Sequence, residues 1–241
     1  MNTDSLDALR RDLVIGNRIL AREGVVDAYG HLSVRHPAHP DRFLMSRSRS
    51  CELVEAGDLL ELDMGGEAVA KDAPQLYLER FIHAAVYAAR PDVMAVVHNH
   101  AYEMIPFAVT GTPLRPVFHA AARIGGTIPV WDIRDKFGAT NLLVTNIEQA
   151  RDLARGLGEH KVVLMRGHGA TVTGASIYDV VATAIYAQVN ARMQMQAMQM
   201  GTIEFVSPEE QELAYGIVAT GPVARDRLWE YFCHRAGCAD L

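Results

Sequence analysis

Leu6, Leu9, Leu13 and Leu20 recur at helical spacing at the start of the chain, and Gly24 offers a stop. The alternation of Tyr29-Gly30-His31-Leu32-Ser33-Val34-Arg35 predicts a strand. Phe43-Leu44-Met45 reads as a short strand that runs into a polar loop, Ser46 to Ser50. Leu59 to Asp63 predicts another strand, and Gly65-Gly66 a hairpin turn. Over 76–90 the pattern predicts an amphipathic helix. Leu78, Phe81, Ile82, Ala85, Val86 and Ala89 share one face, and Pro91 follows the end.

Val93 to Val97 then reads as a buried strand entering His98-Asn99-His100. A Pro/Gly-rich stretch, Thr110 to Pro116, separates it from further short strands and from Ile128-Pro129-Val130. A helix is expected over 147–157 and a strand over Val162 to Met165, leading into Arg166-Gly167-His168-Gly169. The last third is helical. Ser176 with Asp179 makes a capping box and Gly201 a C′ glycine, while Ser207-Pro208-Glu209-Glu210 starts a second helix. Hairpins and an irregular α/β order argue against a doubly wound Rossmann sheet. The expected fold class is α/β: a central, mostly antiparallel sheet with helices on both sides.

The 241 residues suffice for one domain with a real core, and residues 1–241 are read as a single unit with no repeat or linker. The chain is 49% hydrophobic and 22% charged, the balance of a globular protein. A net charge of −6 gives no electrostatic reason to bind nucleic acid or an anionic membrane. No apolar run approaches the ~20 residues that span a bilayer. The polar, acidic start does not read as a signal peptide, so none is expected. Cys51, Cys233 and Cys238 cannot all pair and lack metal-type spacing, so reduced thiols and a cytoplasmic location are expected.

The strongest chemical signal is His98-x-His100. Side chains two apart on a strand share a face, so both imidazoles can converge on one ion. His168 leaves another buried strand between two glycines. Three histidines with open positions fit a catalytic divalent-metal site; any one alone would read better as a hydrogen-bonded core residue. Glu79 lies at the start of its helix, beside Arg80 and one turn before His83. Spacing alone reads it as a solvated helix charge. Ser46-Arg47-Ser48-Arg49-Ser50 is either an oxyanion cradle or a basic surface loop. No Walker motif, Gly-x-Ser-x-Gly or His-Glu-x-x-His occurs. Met193, Met195, Met198 and Met200 suit packing or a subunit contact.

Taken together, Gly30-His31-Leu32-Ser33-Val34-Arg35, Glu79, His98-x-His100 and Arg166-Gly167-His168-Gly169 resemble the class II aldolase/adducin family over most of the chain. The resemblance implies a three-layer α/β/α fold and a divalent ion, Mn2+ or Zn2+, on His98, His100 and His168. It implies Glu79 as acid/base, ligating the ion when substrate is absent, and a homotetramer with sites at subunit interfaces. The family's sugar-phosphate aldolases carry a Thr/Ser-Pro-Ser-Gly type loop where this chain has Ser46-Arg47-Ser48-Arg49. They also tend to have Gly-Asn-x-Ser in place of Gly30-His31-Leu32-Ser33. With Glu79-Arg80-Phe81-Ile82-His83 and Ile105-Pro106-Phe107, this chain resembles the decarboxylase branch typified by 3-hydroxy-2-methylpyridine-4,5-dicarboxylate 4-decarboxylase.

The expected activity is therefore decarboxylation of a hydroxylated aromatic dicarboxylate, of pyridine or benzene type. Glu79 would deliver a proton to the ring, and His31 would either assist or be structural. Arg80, Arg47 or both would anchor a carboxylate, with Ser33, Ser46 and Ser48 as hydrogen-bond donors. One alternative is an aldolase or epimerase acting on a hydroxy-ketone phosphate. The other is a non-catalytic, adducin-like interaction domain. His119 is left with either a pocket or a packing role, and the C-terminal helix, through Tyr215, is a candidate to close the site over the ring.

Overall fold

Period-two alternation gives each strand of this protein two apolar faces, and both are covered by helices. The computed structural model describes residues 3–218 and 221–239. In chain order the elements are α1 (Thr3–Arg22), β1 (His31–Arg35), β2 (Arg42–Ser46), β3 (Leu59–Asp63), α2 (Arg80–Ala89) and β4 (Ala95–Asn99). There follow α3 (Ile105–Thr110), β5 (Val130–Trp131), α4 (Arg134–Phe137), α5 (Ile147–Leu157), β6 (Val162–Met165) and β7 (Gly169–Gly174). The chain closes with α6 (Ile177–Met200), α7 (Pro208–Val218) and α8 (Pro222–Arg235). The strands make one seven-stranded sheet in the order β3-β2-β1-β4-β7-β6-β5. Every pairing is antiparallel except β5 with β6.

Leu32, Val34, Leu44, Ala95, Val97, Val162 and Leu164 pack on one face against α1 and α6. Their neighbours Phe43, Met45, Val96, Val163 and Met165 face α2 and α5. The fold is thus the expected three-layer α/β/α arrangement. His31 and Ser33 alternate with Leu32 and Val34, so they point to the α2 side. His98, two residues after Val96, does too, and β1 and β4 set His31 directly beside His98. The sheet therefore delivers its polar side chains to one place, beneath the start of α2.

Helix caps follow the sequence closely. The Ser176 hydroxyl accepts from the Asp179 N–H at the start of α6. Ser207 and Glu210 cap each other reciprocally before α7. The further short strands expected between Pro116 and Ile128 give way to a 3-10 turn over His119–Ile124, which packs against α6 and α7 instead of extending the sheet. Two further boundaries also differ. The strand expected over 93–97 lies at Ala95–Asn99, so His98 sits within the ladder. The helix expected over 76–90 starts only at Arg80, with Glu79 as its N-cap. Residues 76–79 bend away, which leaves Leu78 60% exposed rather than in the apolar face. No helix of the described residues is long and apolar enough to cross a membrane.

Candidate metal centre

His98 leaves β4 fully buried. Its Nδ1–H donates to the Ala170 carbonyl at 3.2 Å, because a carbonyl can only accept. In a neutral ring this leaves Nε2 as a bare lone pair. That atom lies 3.1 Å from His100 Nε2, which in turn lies 3.1 Å from His168 Nε2. Glu79 Oε2 stands 3.4 Å from both His98 Nε2 and His168 Nε2. The four ligand atoms all lie within 4.8 Å of one another.

Lone pairs this close repel unless a cation or proton sits among them. Separations of 3.1–3.4 Å are near the ~3.3 Å edge of a tetrahedron with metal–nitrogen bonds of about 2.0–2.1 Å. The donor set therefore fits a divalent ion. Imidazole and carboxylate suit both zinc and manganese.

Backbone geometry brings His168 in. The loop Arg166–His168 joins β6 to β7, and Gly167 takes a left-handed φ of 65° within it. At Gly169 a Cβ would lie 2.0 Å from the Asn99 carbonyl oxygen. Glycine there lets β7 approach the end of β4 closely enough for His168 to meet His98 and His100. Glu79 is fixed by its other oxygen: the Val144 N–H donates to Oε1 at 2.9 Å. Burial alone would raise the Glu79 pKa, but the His98 and His168 imidazoles outweigh it and hold the carboxyl far below its usual range. Burial, with His98 and His168 alongside, brings His100 down to about 4.

Above the cluster opens a cavity of about 350 Å³. His31, Glu79 and His100 face it, with Ser48, Arg49, Ser50, Tyr29 and Tyr77 as the polar wall and Leu76, Leu78 and Leu143 as the apolar one. The size and mixed lining suit a small aromatic or sugar-sized molecule. The Tyr77 hydroxyl donates to the Arg49 carbonyl and lies 3.1 Å from Ser46 Oγ. Burial pushes its pKa up to about 12.

The structure sorts the expected substrate contacts. Ser48 lines the cavity. Ser46 is buried against Tyr77, and Ser33 is buried between His83 and Tyr87. Arg47 Nε donates to Asp58 Oδ1 at 2.7 Å, and Arg49 Nη1 donates to Asp58 Oδ2 at 2.6 Å. Of these two guanidinium-bearing residues, Arg49 lines the cavity. Arg80 turns onto the Gly66 carbonyl and Glu67, outside the lining. His119 is exposed and borders a different cavity with Arg123 and Tyr186. Tyr215 holds Lys161 at 2.7 Å.

Tyr77 and His83 join the site beyond the residues singled out by sequence, and of the two arginines in the Ser46–Ser50 loop it is Arg49 rather than Arg47 that lines the cavity. The Arg-Ser alternation carried a signal for Arg49, and a polar residue on an apolar helix face carried one for His83.

Residues 11–195 match the family described as Class II Aldolase and Adducin N-terminal domain. Decarboxylase tropJ of Talaromyces stipitatus is 37% identical over 203 residues, covering 79% of this chain and 76% of that protein. The 3,4-dihydroxyphthalate decarboxylase of Arthrobacter keyseri is 28% identical over 207 residues, covering 80% and 79%. Among solved structures, L-fuculose 1-phosphate aldolase from Glaciozyma antarctica superposes with a TM-score of 0.77 at 22% identity, covering 95% of this chain and 90% of that one.

Proposed function

This chain belongs to the class II aldolase and adducin N-terminal domain family, and on that premise we propose that it is a divalent-metal-dependent decarboxylase of a hydroxylated aromatic dicarboxylate. The observation that carries the reading is the convergence of His98, His100, His168 and Glu79 at the floor of a cavity walled by Arg49 and Ser48. Relatives named as decarboxylases, one of them acting on 3,4-dihydroxyphthalate, support the substrate class.

His98, His100 and His168 would hold Mn2+ or Zn2+, and the ion when bound supplies Lewis-acid polarisation of a substrate oxygen. The chain's own groups do the rest. Arg49, held against Asp58, anchors the carboxylate that stays, with Ser48 as a further donor; Arg47 acts through the same Asp58. Arg80, Ser33 and Ser46 support the walls from behind. Glu79 is held as a carboxylate, so it first acts as a base and takes the proton of the ring hydroxyl. Glu79 delivers that proton to the ring carbon that bears the adjacent carboxylate, which turns the ring into a dienone with the former hydroxyl oxygen as its carbonyl. The carbon–carbon bond then breaks, carbon dioxide leaves, and the electron pair flows through the ring onto that oxygen and restores aromaticity. Solvent protonates the oxygen, so one proton is consumed overall.

A sugar-phosphate aldolase or epimerase would use the same centre, and arginine with serine also suits phosphate. Carbon dioxide release from hydroxylated phthalates and pyridine dicarboxylates, set against cleavage of hydroxy-ketone phosphates, tests the choice. Turnover of the phosphates alone would replace this reading with the aldolase one; no turnover and no bound metal would favour an adducin-like scaffold. We further propose that residues 1–241 act as one domain in a homotetramer in the cytoplasm. Exposed Tyr29 and Leu78 at the cavity edge support sites at subunit interfaces, and three free thiols support a reducing compartment.

A further inference from the structure

The strand and helix periods interleave four polar side chains behind the cavity. His31 and Ser33 point from β1 toward α2, where His83 and Tyr87, four apart, point back. His31 Nδ1 lies 2.6 Å from His83 Nε2. His83 Nδ1 lies 2.6 Å from Ser33 Oγ, and Ser33 Oγ lies 2.8 Å from Tyr87 Oη. All four are buried. Two ring nitrogens 2.6 Å apart leave room for a single hydrogen between them, so His31 and His83 share one donor and one acceptor.

Such a chain has two possible directions, and its closed end selects one. A buried tyrosine O–H must donate. Among the described residues the hydrogen-bond partner of its phenol oxygen is Ser33. Tyr87 therefore donates to Ser33, and Ser33 to His83 Nδ1. His83 Nε2–H then donates to His31 Nδ1. His31 must carry its own hydrogen on Nε2. Among the described residues that nitrogen has no hydrogen-bond partner, and the ring lines the cavity.

We propose that Tyr87, Ser33 and His83 are positioning residues that lock His31 as its Nε2–H tautomer, making it a neutral donor to an acceptor oxygen of the substrate, carboxylate or phenolate. The substrate half rests on the decarboxylase reading; the tautomer half does not.

Nitrogen-15 histidine NMR on the full chain with Zn2+ added reads the tautomer directly. The expected result is a bare Nδ1 and a protonated Nε2 on His31, giving way to a tautomer mixture in Tyr87→Phe. A hydrogen on His31 Nδ1, or an unchanged tautomer in Tyr87→Phe, overturns the proposal. In kinetics, His31→Phe should lower kcat by about 10²-fold. His83→Leu should lower kcat at least about tenfold with KM little changed, while His83→Gln, whose amide can donate to His31 and accept from Ser33, should restore most of it. Equal behaviour of the Leu and Gln variants would make His83 merely structural and sink the idea. If no aromatic acid is decarboxylated by the wild type, the functional reading fails while the NMR still decides the tautomer.

Discussion

Replacing Gly169 by alanine should damage stability and metal binding together. An added Cβ would sit 2.0 Å from the Asn99 carbonyl oxygen, 3.0 Å from the Asn99 carbonyl carbon and 3.1 Å from the His100 Cα. Real Cβ contacts essentially never fall under 3.0 Å, and the obstructing atoms are backbone. The ends of β4 and β7 must therefore part by about 1 Å, against the ~0.2 Å tolerance of a metal–ligand distance. Overpacking of this kind costs about 1–3 kcal/mol, and a weakened ladder bond adds about 1 kcal/mol. For a chain of this size, a loss of about 2–4 kcal/mol lowers Tm by roughly 4–16 °C. The separation also pulls His168 from His98 and His100, so Zn2+ affinity should fall at least about 10²-fold. Scanning calorimetry and competition with a chromogenic zinc chelator measure the two effects. Gly126→Ala, where a Cβ meets nothing within 4 Å, is the control. A Gly169→Ala protein that melts and binds zinc like the control would refute the close-approach argument.

Glu79→Gln should keep the fold, since an amide oxygen still accepts from the Val144 N–H, but lower kcat by about 10²–10⁴-fold in a carbon dioxide release assay. Arg49→Ala should raise KM for a dicarboxylate roughly tenfold or more while changing KM for the matching monocarboxylate far less, as steady-state kinetics on the pair will show. His31 and His83 are depressed in the fold and titrate at their ordinary 6.5 when unfolded, so their stabilising contribution is present above that pH and lost as pH falls below it. Each ring contributes a slope of up to about 1.4 kcal/mol per pH unit. Denaturant melts of metal-stripped wild type and His83→Leu between pH 7 and 5 should therefore diverge, the variant losing less stability on acidification; parallel curves would contradict the neutral pair.

The layers of the fold were legible because alternation and helical spacing encode burial directly. His98 and His100 announced themselves by their period of two, and His168 by the glycines around it. Glu79 was harder. The apolar stripe extends back to Leu78, so the pattern places the helix start before Glu79, whereas residues 76–79 turn toward the cavity and put Glu79 at the N-cap position, its carboxylate on His98 and His168 rather than capping the helix. The roles of Arg47 and Arg49 depend on Asp58, which joins them across a loop; nothing local marks that pairing. His83 sits among Ile82, Val86 and Tyr87 on a buried face, and only the opposite strand supplies its partners. Side-chain direction at polar positions is set by tertiary neighbours, and spacing along the chain does not contain it.

Metal analysis coupled to turnover tests the centre most directly. Purified protein should carry a divalent ion. Chelation should remove that ion and carbon dioxide release together, and added Mn2+ or Zn2+ should restore both, whereas His98→Ala should fold yet neither bind the ion nor turn over. Full activity in chelator-treated, metal-free protein, or in His98→Ala, would contradict the account.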